Sequence, residues 1–299
     1  MQIFRSLFAH SKIDFMRPHK LAIAASVVCI ILSIGLVVFK GLNFGIDFSG
    51  GILMEIRGEK LDSETLRNTL SGKIKDIQIQ NIGAQDFLIR VAKNSEEKSS
   101  QQESIQKIQQ IIGQNFANIE YRKVDYVGPQ VGSELIGKGI MALLLSFLFI
   151  MIYIWVRFDW QFGLGGIFAL VHDAFITLGF YAATGLEFNL TSIAAILTII
   201  GYSINDSVVI YDRIRENLRK SKKQDLATLI NSSINSTLSR TLLTSGATLL
   251  SLLALVLFGG EVLKSFSQAA FFGILVGTYS SIYISAPILL YFDPRKSAK

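Results

Sequence analysis

Ionisable side chains stand at three places where this sequence is otherwise built for hydrocarbon. Asp206 interrupts the apolar run Phe188–Tyr211, His172-Asp173 lies midway along Phe162–Leu186, and Arg240 immediately precedes Thr241–Gly260. An ionisable side chain inside a bilayer costs at least ~2.5–3.5 kcal/mol on insertion scales, so it normally faces other helices and has an ion or proton to handle. Ala194, Thr198 and Tyr202 precede Asp206 at four-residue steps, and Thr244, Ala247, Thr248 and Ser251 continue from Arg240 at three- and four-residue steps. These small, polar faces predict two helices that set Asp206 opposite Arg240. Burial and a neighbouring guanidinium act in opposite senses on a carboxylate's protonation. Such a site could alternate between a protonated and an ion-paired state; a static salt bridge or a hydrogen-bonded clamp is the alternative.

Ala169 and Thr177 flank Asp173 on its own face and predict that it points inward, either as a second proton station or as a polar lock between helices. Asn205, next to Asp206, is a further polar position. Asp212, beside Arg213 and Arg215, predicts a solvated ion pair. Ala269, Gly273, Gly277, Ser281 and Ser285 recur every four residues, a stripe that lets another helix approach closely, within this chain or from a partner.

The elements that must position these groups follow from composition. The chain has 299 residues, 50% hydrophobic and 17% charged, with a mean hydropathy of +0.43. Leu21–Phe39, Gly139–Val156, Phe162–Leu186, Phe188–Tyr211, Thr241–Gly260 and Phe266–Phe292 can each cross ~30 Å of hydrocarbon as a helix. The expectation is a polytopic α-helical membrane protein with six transmembrane helices, the first a retained anchor; a soluble enzyme and a disulfide-stapled domain are excluded. The one cysteine, Cys29, falls inside the first run and reads as a packing residue.

Net charge is +6, yet its placement argues for topology and against nucleic acid. Bases gather before the first run (Arg5, Lys12, Arg17, Lys20), after the fourth (Arg213, Arg215, Arg219, Lys220, Lys222, Lys223) and after the last (Arg295, Lys296, Lys299). Positive short segments mark the cytoplasmic side. That divides the chain into a cytoplasmic N-terminus (1–20), helix one (21–39), a periplasmic domain (40–134), a five-helix region (135–292) with a cytoplasmic loop at 212–240, and a cytoplasmic tail (293–299). In that loop Leu226, Leu229, Ile230 and Ile234 share one helical face, which predicts a short helix on the bilayer surface or a linker packed on the bundle.

The 40–134 stretch has the pattern of a small folded domain. Ile52–Ile56, Ile77–Ile82, Phe87–Val91 and Ile119–Val127 read as strands, the middle two joined by Gly83-Ala84-Gln85. Ser63–Leu70, capped by Asp62 or Ser63, and Glu103–Phe116 read as helices. The order βαββαβ predicts a ferredoxin-like α+β domain. No phosphate-binding loop, no H-E-x-x-H and no metal-spaced His/Cys cluster is present, so neither cofactor nor metal is expected. An intramembrane aspartyl protease would need a glycine-flanked aspartate, which is missing. No enzyme chemistry is expected.

Gly41-Leu-Asn-Phe-Gly-Ile-Asp47-Phe-Ser-Gly-Gly51 and Val127-Gly-Pro-Gln-Val-Gly-Ser-Glu134 resemble the segments that bound the first external domain in the SecD/SecF protein-export family. Arg157-Phe-Asp-Trp, Val171-His-Asp173, Gly201-Tyr-Ser-Ile-Asn-Asp206, Tyr211-Asp-Arg-Ile-Arg-Glu-Asn217 and Ser239-Arg-Thr-Leu-Leu-Thr-Ser245 follow in the order of its SecF branch. The resemblance covers roughly residues 10–292. It implies the resistance-nodulation-division superfamily fold, with SecD, the SecYEG channel, a YajC-like subunit and unfolded preprotein as partners in the bacterial inner membrane. It also implies use of the proton-motive force to assist export, with Asp206 and Arg240 in the family's functional aspartate and arginine positions. Half of a small-molecule or lipid exporter, or a purely structural subunit, are the competing readings.

Overall fold

A computed structural model describes residues 12–58, 61–74, 77–83, 85–91, 101–221 and 223–296. Arg5, Ala84, Lys222 and Lys299, used above for topology and for one turn, lie outside the described residues. The chain forms two compact units, one comprising Phe44–Met141 and the other the residues before and after it.

The smaller unit contains β1 (Gly51–Arg57), α2 (Ser63–Ser71), β2 (Ile77–Asn81), β3 (Asp86–Val91), α3 (Gln101–Asn115) and β4 (Glu120–Val127); α1 (His19–Phe39) precedes it. The strands lie in the order β2-β3-β1-β4, all neighbours antiparallel, as a ferredoxin-like βαββαβ chain requires. Period-two alternation turns Ile52, Met54 and Ile56 of β1 and Phe87 and Ile89 of β3 to one face. There they meet Leu66 and Leu70 of α2 and Ile108 and Ile112 of α3. Asp62 caps α2, its carboxylate accepting from the backbone N–H of Glu64 (3.1 Å) and Thr65 (3.3 Å). A single helical turn, Ile46–Ser49, leads into β1 through Gly50 (φ +69°) and Gly51 (φ +124°), conformations that side chains resist.

The larger unit is helical. α4 (Pro129–Arg157) runs unbroken from one unit into the other, followed by α5 (Trp160–Thr184), α6 (Leu190–Lys220), α7 (Leu226–Phe258) and α8 (Gly260–Ser280). A π-helical turn at Ser281–Ser285 and the short helix Ile288–Tyr291 continue α8. Among the described residues, six helices are long and apolar enough to cross a membrane. Over half of the apolar windows of α5, α6 and the α8 segment is buried (56, 56 and 61%), against 11, 11 and 17% for α1, α4 and α7, so the first three form the centre.

Helices four and five outrun their apolar stretches. The expected loop 212–240 is helical on both sides of a short link after Lys220, and the Leu226–Ile234 face is the start of α7 rather than a separate surface helix. The reason is burial: Leu229, Ile230 and Ile234 are almost wholly enclosed, and Asp225 caps α7 by accepting from the Thr228 N–H at 3.0 Å. Cys29, expected to pack, is exposed on α1.

Two outcomes follow for the smaller unit. Gly50→Ala should cost about 1–3 kcal/mol, the usual price of a strained backbone position. Gly72→Ala, at ordinary φ and with open space around it, should shift stability by no more than about 0.5 kcal/mol. Thermal unfolding of the detergent-solubilised protein reads both, and equal losses would contradict the strain argument. Secondly, Arg57 donates from Nε (2.7 Å) and Nη2 (2.8 Å) to Asp86, and this guanidinium holds the Asp86 carboxyl below its usual range. A pKa depressed by folding means stabilisation that is complete above the unfolded carboxylate value of about 3.9 and is lost as pH falls through the folded value. The effect should be small, because the Arg57 side chain is 40% exposed. Acid titration of Asp86→Asn should show a shallower loss of stability than the parent protein; identical curves would remove the pair from the account.

Candidate functional site

α6 begins with a reciprocal cap in which the Asn189 side chain accepts from Ser192 N–H and Ser192 Oγ accepts from Asn189 N–H. From there Ser192, Ile196, Ile199, Ser203, Asp206 and Ile210 are buried, while Ala194 and Thr198 are exposed. The four-residue series drawn through Ala194, Thr198 and Tyr202 therefore does not mark the inward face. Each step of four overshoots a 3.6-residue turn by about 40°, so three steps carry the series about 120° around the helix.

Asp206 itself is buried, and its Oδ2 accepts from Ser245 Oγ of α7 at 3.2 Å. Ser245 Oγ in turn accepts from Thr278 Oγ1 of α8 at 2.9 Å. Arg240 is exposed and makes no ion pair with Asp206; the two interact only through longer-range Coulomb attraction. The face running from Arg240 through Thr244, Ala247 and Ser251 is exposed too. This corrects the expected closed pair: a hydroxyl occupies the place assigned to the guanidinium. Ser207 and Thr241, next in sequence to Asp206 and Arg240, have buried hydroxyls with no hydrogen-bond partner among the described residues.

Asp173 is fully enclosed, as are its neighbours Ala169 and Thr177. Its Oδ2 accepts from Ser203 Oγ of α6 (2.5 Å) and Ser280 Oγ of α8 (2.8 Å), and its Oδ1 lies 2.9 Å from His172 Nδ1. One carboxylate thus ties α5 to both other central helices.

Asn205 is exposed and belongs to neither cluster. Asp212 accepts from Arg157 Nη2 (2.9 Å) and Arg215 Nη2 (3.3 Å), whereas Arg213 turns to Glu216. On α8, a Cβ added at Gly273 would sit 2.2 Å from Ile199 Cδ1, and one at Gly277 would sit 3.0 Å from Ser203 Cβ. Both glycines therefore bring α8 against α6. Ser281 is buried in the π-helical turn and donates to Thr278 O at 2.9 Å. The hydroxyls of Ser203, Ser245, Thr278 and Ser280 were not singled out as partners. Their only signal was small polar type on helices that must pack around a charge.

The family described as "Protein export membrane protein SecD/SecF, C-terminal" matches residues 107–295, and the SecD/SecF GG motif matches residues 35–60, which include Gly50 and Gly51. The protein translocase subunit SecF of Rickettsia rickettsii is 53% identical, the alignment covering 100% of this chain and 98% of that protein. The SecF of Rickettsia bellii is 52% identical with 100% of both covered. The crystal structure of SecDF, a translocon-associated membrane protein of Thermus thermophilus, superposes with a TM-score of 0.86 at 40% identity over 95% of this chain. The match spans 39% of that longer SecDF chain. Six membrane-length helices, the antiparallel α+β unit entered through paired glycines and these relatives agree: the chain belongs to the SecD/SecF family of protein export membrane proteins.

Proposed function

We infer that this chain is a SecF-type subunit of an accessory complex that uses the proton-motive force to help draw preproteins across the bacterial cytoplasmic membrane, alongside ATP-driven translocation. The observation that carries this reading is Asp206, a buried carboxylate held by one hydroxyl, with an uncommitted guanidinium on the adjoining helix. A SecD-type subunit is the proposed partner within the bilayer. The polar face of α7 around Arg240 is open in the single chain, and a second helical bundle would cover it. The SecYEG channel, a YajC-like subunit and unfolded preprotein complete the proposed assembly. In this orientation both termini and the 212–240 region face the cytoplasm, and residues 40–134 face the periplasm.

Protonation of Asp206 would remove its attraction for Arg240 while leaving Ser245 bonded. Deprotonation would restore that attraction across the gap, tightening α7 against α6 while Ser245 keeps hold of the carboxylate. Moving one charge through 100 mV supplies ~2.3 kcal/mol, enough to shift a two-state element several tens-fold.

Topology is directly testable. In a Cys29→Ser background, Thr65→Cys should react with a membrane-impermeant thiol reagent added from the periplasm, and Lys223→Cys only once the cytoplasmic face is opened. The opposite pattern would invert the orientation. For the coupling role, Asp206→Asn should lower preprotein export in energised membrane vesicles to the level seen when the gradient is collapsed, with normal amounts of the complex recovered. Export that still answers normally to the gradient in Asp206→Asn would leave a scaffold role instead.

A further inference from the structure

The two buried carboxylates share the same pair of helices. Ser203, which donates to Asp173, precedes Asp206 on α6 by almost one turn, and Ser280, its other donor, lies on the α8 turn that carries Thr278 of the Asp206 chain. Asp173 is the more enclosed of the two, and among the described residues no arginine or lysine pairs with it. A carboxylate so placed holds a charge only while all its donors stay in place. Its position also gives it an outlet. His172 lines a groove of ≈ 330 Å³ between α1, α5 and α8, with Ser26, Cys29 and Tyr279 on the opposite walls.

We propose that Asp173, with His172 as its exchange group, is a second proton-binding site of this chain, which clamps α5 to α6 and α8 when ionised and holds them more weakly when neutral. The proposal rests on the proton-coupled reading of Asp206. With three donors converging on it, ionised Asp173 accepts from Ser203, Ser280 and His172 Nδ1–H. A proton arriving at His172 Nε2 forms the imidazolium. The Nδ1 proton then passes to Asp173 Oδ1, leaving a neutral Nε2–H imidazole and a neutral carboxylic acid. One proton has entered, and no other bond has changed. The protonated Oδ1 no longer accepts from His172, and the neutral acid is a weaker acceptor for the two serines, whose bonds were charge-assisted. The seam most affected is the one that Gly277 brings close at Ser203.

The ionisable groups around this site are few. On α5 it is His172 itself. α8 presents Tyr279, its ring 6.2 Å from that of His172 and its hydroxyl donating to Ala22 O of α1 at 3.0 Å. α1 adds Cys29 along the groove, and α6 carries Asp206 beyond Ser203. Among these described groups none brings a permanent positive charge.

Infrared difference spectroscopy of the membrane-reconstituted complex reads the site directly, through the carbonyl stretch of a protonated carboxyl group. In an Asp206→Asn protein one such band should still titrate with pH, and it should vanish when Asp173→Asn is added. His172→Gln should change the frequency of that band, because the group 2.9 Å from Asp173 Oδ1 is replaced. Identical titrations of Asp206→Asn and the double variant would overturn the proposal. If the double variant is not recovered from membranes, Asp206→Asn with Asp173→Glu carries the same test: a displaced band supports the site, and an unmoved one overturns it. Because this readout needs no export, it stands or falls separately from the Asp206 reading, which the gradient dependence of Asp206→Asn export decides.

Discussion

A carboxylate held away from water must find donors among whatever side chains its neighbours present, and this constraint organises the helical unit. Asp173 and Asp206 lie on different helices, and both are satisfied by hydroxyls arriving from others: Ser203 and Ser280 for the first, Ser245 for the second. Hydroxyl bonds of this kind form only when helix backbones come close. The approach is supplied by glycine, since a side chain at Gly273 would strike Ile199 and one at Gly277 would crowd Ser203. For Asp173 the buried charge and the small-residue stripe coincide: Gly277 closes the α8–α6 seam at Ser203, one of its donors.

The same logic separates the central helices from the peripheral ones. α5, α6 and α8 enclose the acids and are the most buried, while α1, α4 and α7 present Leu, Ile, Val and Phe outward. α7 is the exception in character. Its outward face around Arg240 is polar and small, an unusual surface to offer to acyl chains. In the proposed assembly that face meets another bundle, which accounts for an exposed guanidinium at membrane depth without asking lipid to solvate it.

Much of this was legible in the sequence, and what was not has a physical reason. The long apolar runs announce helices unambiguously, and in the smaller unit two periods, alternating and helical, meet at clear turn residues, so all six elements stood out. The isolation of Asp173 and Asp206 amid apolar residues made their burial readable. Their partners were harder. Serine and threonine are common in packed helices and carry no mark of which carboxylate they serve. The face containing Ala194 was misplaced because steps of four drift around a 3.6-residue helix. The extent of α7 was hidden for another reason: polar Asn231, Asn235 and the serines around them separate the Leu226–Ile234 helical face from the apolar run that begins at Thr241. In the structure the two asparagines bond the backbone of Ile13 and Phe15, at 2.8–3.2 Å, from a continuous helix.

The choice of serine rather than arginine as the partner of Asp206 bears on how a switch could work. A fully desolvated ion pair in a bundle is hard to open, because separating it leaves an uncompensated charge and costs about 3–5 kcal/mol. A hydroxyl–carboxylate bond is worth about 1.5–3 kcal/mol at most. The membrane field supplies ~2.3 kcal/mol per charge at 100 mV, comparable to the second figure and short of the first. In the proposed mechanism, with Ser245 holding Asp206 and Arg240 outside, the field's energy is of the size such a switch would need. A permanently closed Asp206–Arg240 pair would instead put the same element beyond the reach of a single proton, and the observed arrangement avoids that trap.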